Sequence, residues 1–194
     1  MSQTPLARLL AEDRRPDALT AFRIARRWFV EGRRIEMREL AAELGVNRAT
    51  LFRWVGSRDE LLAEILWSLA KPTLALAVRD SSGTGGQRIA AISGRFARMM
   101  DQAEYFREFL RREPERALRI LTTRAGTIQA RVVAAVETLL DEEISLGRLN
   151  PPLPPHDLAY LIMRIIESFL YADLITGEQL DIDGAEQAIA ALLR

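Results

Sequence analysis

The 194-residue sequence predicts an all-α fold with a small N-terminal head and a larger helical body. Three observations carry this. Apolar residues recur at three- and four-residue steps in segment after segment, the spacing of one helix face. No segment shows the period-two alternation of a half-buried strand. Net charge is zero but unevenly placed: residues 1–58 hold twelve Arg against seven Asp or Glu, a net of +5, and residues 59–194 carry a net of −5. A basic head on an acidic body suits a nucleic-acid-binding module joined to a sensing module. At 48% apolar residues the chain can bury a sizeable core.

Residues 1–16 read as frayed or partly helical up to Pro16. A first helix spans 17–31, with Leu19, Phe22, Ile24, Ala25, Trp28 and Phe29 at its apolar positions and Gly32 behind it. Arg23, Arg26, Arg27, Arg33 and Arg34 either reach phosphates or form a solvated face. Residues 36–62, EMRELAAELGVNRATLFRWVGSRDELL, organise the head. Met37, Leu40, Ala41 and Leu44 share one helix face. Gly45 can end that helix at positive φ without a Cβ penalty, and Asn47 can cap the next. The second segment buries Leu51 and Val55 and turns Arg48, Ala49, Thr50, Phe52 and Arg53 to other faces. Two short helices joined by a glycine turn, over 36–55, form either an αα-hairpin with a charged face or a helix-turn-helix whose second helix enters the DNA major groove. Ser57 and Glu60 are spaced as a capping box for a third helix.

From residue 58 a helix runs to about 71, and Pro72 predicts a kink or break before any continuation to 79. Residues 80–86 form a flexible loop, not a phosphate loop, since no Lys-Ser/Thr follows the glycines. Helices follow over 87–101, 103–112, 114–123 and 127–146. Four prolines make 150–155 a rigid linker. Residues 157–175 are the most apolar helix, and 184–193 close the chain. Asp157, Tyr160, Arg164, Glu167, Ser168 and Tyr171 recur there at helical steps, which predicts one shared polar face. Buried charges need partners, so Arg164 and Glu167 either pair at a subunit seam or line the polar side of a pocket.

The string from 40 to 62 resembles the TetR family of bacterial transcriptional regulators. Leu40-Ala41, Gly45-Val46, Thr50-Leu51-Phe52, Trp54-Val55 and Arg58-Asp59-Glu60-Leu61-Leu62 match its signature at fixed spacing. Phe52 departs from it, standing where the family usually has a tyrosine whose hydroxyl reaches a phosphate. Glu36 stands where a threonine normally caps the first helix of the motif. The resemblance implies a DNA-binding helix-turn-helix domain over 1–58 and a helical ligand-binding and dimerisation domain over 59–194. It implies a homodimer on double-stranded operator DNA. Arg38 and Arg48 would read bases, and Ala49 and Phe52 would make apolar contacts. Asn47 would open the reading helix, and Thr50, Arg53, Trp54 and Arg58 would hold the backbone.

The resemblance also places an effector cavity among the body helices. Its apolar candidates are Trp67, Phe96, Met99, Met100, Phe106, Phe109 and Met163, each of which core packing alone explains better. Its polar candidates are Tyr160, Arg164, Glu167, Ser168 and Tyr171. Leu170, Leu174, Ile189 and Leu192 are candidates for the dimer seam. Residues from about 151 to 177 are further similar to the QsdR-type branch, regulators associated with the breakdown of lactone signals. That likeness implies a small apolar effector of lactone type, an acyl-homoserine lactone or a γ-lactone.

Catalysis finds little support. His156 is the one histidine, and no serine nucleophile motif accompanies Asp157. Asp141, Glu142 and Glu143 are consecutive on a helix and read as a solvated face, not a metal site. No cofactor is expected. An all-α enzyme acting on a lactone would need a nucleophile, base or metal set that is not evident, and a helical protein-binding adaptor would not need the basic head. Without cysteine there is no disulfide or thiolate zinc site. The N-terminal residues do not read as a signal peptide, and the longest apolar run, 158–175, is broken by Arg164, Glu167 and Asp173. A cytoplasmic protein with no membrane partner is expected.

Overall fold

A computed structural model describes residues 16–123 and 127–194; the expectation for residues 1–15 lies outside them. The described residues form helices and the turns between them: α1 (Ala18–Val30), α2 (Met37–Glu43), α3 (Arg48–Val55), α4 (Arg58–Arg79), α5 (Gly85–Gln102), α6 (Glu104–Arg112), α7 (Pro114–Thr122), α8 (Ile128–Ser145), α9 (Pro155–Leu170), α10 (Ala172–Ile175) and α11 (Ile182–Leu192). Two compact units meet between Leu61 and Leu62, inside the first turn of α4.

The head is built from local devices. Asp17 accepts a hydrogen bond from the Thr20 N–H at 2.7 Å and so caps α1. Asn47 does the same for α3 through the Thr50 N–H at 2.8 Å. Glu36 gives α2 no side-chain cap, as its departure from threonine implies. Gly45 turns the chain between α2 and α3 at φ +64°. Ser57 and Glu60 form the predicted capping box: the Ser57 N–H donates to Glu60 Oε2 at 2.7 Å and the Glu60 N–H to Ser57 Oγ at 3.2 Å. Trp28, Leu40, Ala41 and Leu51 are buried, so α1, α2 and α3 close around one small core. Val55 is only half-buried, because α3 ends with it and Gly56 turns away.

In the body, α4 runs through Pro72 unbroken, against the expected interruption. The Thr73 hydroxyl donates to the Leu69 carbonyl at 2.8 Å, and the acceptor that Pro72 leaves without its helical donor is the Ser68 carbonyl, one residue earlier. By length and composition alone α4 is apolar enough to cross a membrane. Leu62, Ile65, Leu66 and Leu69 are buried within the protein, the pattern of an ordinary core helix. The central element is α9, which packs against α5, α8 and α11. The long helix expected over 157–175 breaks at Tyr171, whose φ of −114° and ψ of 17° leave the helical range. Arg107 takes up the carbonyl of Leu170 there, at 3.3 Å. On α5, Gly86 lies so close to the chain end that a Cβ would sit 2.5 Å from the Leu193 carbonyl oxygen.

One body carboxylate corrects the sequence reading. Glu143 is not on a solvated face; it is 1% exposed. It follows Val136, Leu139 and Leu140 at helical steps and so shares their inward face. Its carboxylate accepts from the Gly85 N–H at 2.6 Å and from Arg88 Nη1 at 2.9 Å, tying the start of α5 to α8.

Candidate functional site

In the head, Arg48, Ala49, Phe52 and Arg53 are all exposed on α3, at positions that share one side of a helix. Phe52 leaves 40% of its surface exposed, and the Arg48 guanidinium lies 5.7 Å from its ring centre. The side of α3 carrying Leu51 is fully buried, which fixes the direction of this cationic and aromatic face. Arg38 is exposed on α2. Thr50 and Trp54 are half-buried at its margin, and Asn47 is engaged as the cap. Arg58, expected to hold the DNA backbone, also has a contact within the head. Its Nε donates to the Ile35 carbonyl at 2.6 Å, so the side chain braces the turn before α2 from within the head.

In the body, Phe96, Met100, Phe106, Met163, Glu167 and Tyr171 converge on a largely apolar cavity between α4, α5, α6, α8 and α9. Its water-accessible volume is about 40 Å³, enough for a few water molecules and too little for an alkyl chain. Glu167, 4% exposed, is the charged group in its wall. Arg164 Nη1 approaches Glu167 Oε2 to 2.6 Å, but this oxygen has no partner in hydrogen-bond geometry. Burial pushes the Glu167 carboxyl up to about 7; Arg164 and a hydrogen bond with Gln129 pull it the other way. Burial also raises the Tyr171 hydroxyl far above its usual range, with the Glu167 charge adding to the effect.

Beside the cavity, across Gln129 and the Arg164–Glu167 pair, lies an open cleft of about 780 Å³ between α8 and α9. Tyr160, Arg164, Arg131 and His156 face it, and Gln129 lines both spaces. His156 Nδ1 lies 2.9 Å from Glu137 Oε2, and this contact raises its pKa by favouring the imidazolium. Among the described residues no group of three or more His, Cys, Asp or Glu is placed to hold a metal ion.

Residues 84–194, more than half of the chain, match the tetracyclin repressor-like C-terminal domain. The whole chain superposes on the solved structure of the R. erythropolis transcriptional repressor QsdR, of the TetR family, with a TM-score of 0.84. Identity is 32%, over 91% of this chain and 93% of that one. The chain belongs to the TetR family. It is therefore a ligand-responsive transcriptional regulator related to QsdR. A search of curated proteins found no match.

With the TetR fold in hand, the expected positions sort themselves. The polar residues of α9 do not share one face. Asp157, Tyr160, Arg164 and Ser168, three or four residues apart in successive turns, are exposed, whereas Met163, Glu167 and Tyr171 face inward. Ser168 donates to the Ile165 carbonyl at 2.8 Å and lines neither cavity nor cleft. Trp67 also stands outside the cavity wall, half-buried with the Arg131 guanidinium 5.7 Å from its ring centre. Phe109 is buried and Met99 half-buried, both away from the cavity. Leu170 and Ile189 are 3% and 0% exposed within the single chain, so they have no surface to give to a seam; Leu174 and Leu192 are half-exposed. Gln129 went unnoticed in the sequence, since nothing in a lone glutamine on an amphipathic helix marks it as lying against a buried carboxylate.

Proposed function

We propose that this TetR-family regulator is a homodimeric repressor that senses a lactone-type signal, an acyl-homoserine lactone or a γ-lactone, and controls its catabolism. Two heads set α3 into successive major grooves of a palindromic operator. Arg48 and Arg38 read base edges, a guanidinium being able to bond guanine O6 and N7 together. Ala49 and Phe52 make apolar contacts, and Thr50, Arg53 and Trp54 hold the backbone. The effector occupies the Phe96–Met163–Glu167 cavity and lowers operator affinity by favouring a conformation that binds DNA less well. Because that cavity is nearly closed, the ligand must displace side chains, and Met100 and Met163 are unbranched and suited to it. The dimer seam includes Leu174 and Leu192, joined by Leu161 and Ile175, which are 37% and 59% exposed. The protein acts in the cytoplasm, by binding and not by catalysis.

The observation that carries this reading is the exposed face of Arg48, Ala49, Phe52 and Arg53 on a helix whose other side is fixed in the head core. Likeness to a solved repressor supports it. Selection of duplex DNA from a random pool should recover a two-fold symmetric site, and medium-chain γ-lactones or acyl-homoserine lactones should weaken binding to it. Failure to enrich any palindrome would sink the repressor reading; enrichment without any lactone effect would sink only the effector class.

A further inference from the structure

Glu167 presents a buried oxygen that lacks a hydrogen-bond partner, in the wall of an otherwise largely apolar cavity. The Arg164 guanidinium balances its charge from 2.6 Å without hydrogen-bond alignment, and Arg107 is engaged elsewhere. Arg107 pairs with Asp101 and Asp173 and donates to the Leu170 carbonyl. Arg164 lies on the cleft side, 3.4 Å from the Thr122 carbonyl as well as beside Glu167. An acceptor left in this state is costly, and a ligand that brings a donor to it gains more than one that brings only acceptors. An ester or simple lactone presents acceptors alone and would set its oxygens against the carboxylate. An amide N–H or a hydroxyl supplies what Oε2 lacks.

We infer that Glu167 is the polar anchor of the effector, and that it selects an apolar chain bearing a hydrogen-bond donor, above all a secondary amide, whose N–H donates to Oε2. This rests on the effector-binding reading above and divides the two lactone classes it contains: the acyl-homoserine type carries such an N–H and the simple γ-lactone does not. The location of Glu167 orients the ligand too. Gln129 lines both the cavity and the open cleft, and Arg164 lines the cleft beside Glu167, so the amide lies at this boundary, the alkyl chain points toward Phe96 and Met100, and the rest of the head group faces the cleft. Burial holds the carboxyl pKa near 7, so its charged form is weakly stabilised by the protein and has most to gain from an added donor.

The test uses two probes that differ only in N–H for O, N-octylacetamide and octyl acetate, titrated into the full-length protein and followed by calorimetry. Amides lose more on leaving water than esters do, so a site without an acceptor favours the ester. At pH 8 the wild type should bind the amide at least tenfold more tightly than the ester. Glu167→Leu should bring the two to parity or reverse them, and Glu167→Gln, which keeps a carbonyl acceptor, should retain part of the preference. Circular dichroism checks that each variant is folded. Equal affinities in the wild type, ester preference, or no binding of either probe up to its solubility limit would overturn the proposal. Because neither probe contains a lactone ring, this outcome is independent of whether lactones release the operator.

Discussion

The head and the body of this regulator are held together over different distances along the chain. In the head, the caps of α1, α3 and α4 join groups three residues apart, Asp17 with Thr20, Asn47 with Thr50 and Ser57 with Glu60, and the Arg58 brace spans 23. In the body, Glu143 reaches back 58 residues to the Gly85 N–H and 55 to Arg88, and Arg107 reaches 66 forward to Asp173. Local devices leave a signature in a short string. Long-range ones do not, because nothing near Glu143 in sequence shows which backbone N–H it will meet. The same contrast applies to the proposed sites: most side chains assigned to DNA sit on the eight-residue α3, whereas the cavity takes its wall from α4 to α9 and Tyr171.

The largest expected effect tests the long-range side. Glu143→Ala leaves Arg88 beside an unfilled, buried site and the Gly85 N–H without its acceptor. It should destabilise the protein by about 3–5 kcal/mol, the range for breaking one half of a buried ion pair, as read in urea unfolding. A loss under 1 kcal/mol would mean that the body does not depend on this tie.

Next in size is the Glu167 carboxyl, which burial pushes up to about 7 from its ordinary 4.5. Between those two pH values the folded protein holds a proton that the unfolded chain has released. Stability should therefore fall as pH rises from about 4.5 to about 7 and level off above. Glu167→Gln removes this slope, and the variant should be more stable than the wild type at pH 8 by ~1–3 kcal/mol. Unchanged pH dependence of thermal unfolding would show the carboxyl to be better solvated than its burial implies.

These two residues also mark where the sequence stops being readable. Most of the body helices and the inward Phe96, Met100, Phe106 and Met163 follow from apolar spacing alone. Glu143 was legible only as an acid on a helix, and Glu167 as a charge needing a partner on a polar face that the structure divides. Periodicity places Glu143 with Leu139 and Leu140, but the charge argues the other way, and only the packed partner decides between them. Likewise Pro72 predicts a break, yet α4 runs on through it with Leu66, Leu69 and Ala77 buried on either side. At Tyr171 the spacing runs on although the helix stops, since the capping group, Arg107, comes from α6.

The smallest effects test the local side. Asn47→Ala should lose about 1 kcal/mol, the usual contribution of a helix N-cap. Glu36→Thr should gain ~0.5–1 kcal/mol by supplying the side-chain cap that α2 lacks. Both are measurable as shifts in denaturant midpoint. If neither moves it, the head owes its helices to packing and not to capping.

The division of labour between α3 and α9 is tested most directly by one assay on two variants. Operator binding is titrated by fluorescence anisotropy, with and without an acyl-homoserine lactone, for Arg48→Ala and Glu167→Leu beside the wild type. Arg48→Ala should lose ~1–3 kcal/mol of affinity for the selected operator relative to random DNA, and the lactone concentration giving half its effect should not change. Glu167→Leu should bind ligand-free operator as the wild type does and need at least tenfold more lactone for the same response. If Arg48→Ala weakens operator and random DNA equally, or if Glu167→Leu answers the lactone as the wild type does, the assignment of DNA reading to α3 or of effector reading to α9 is contradicted.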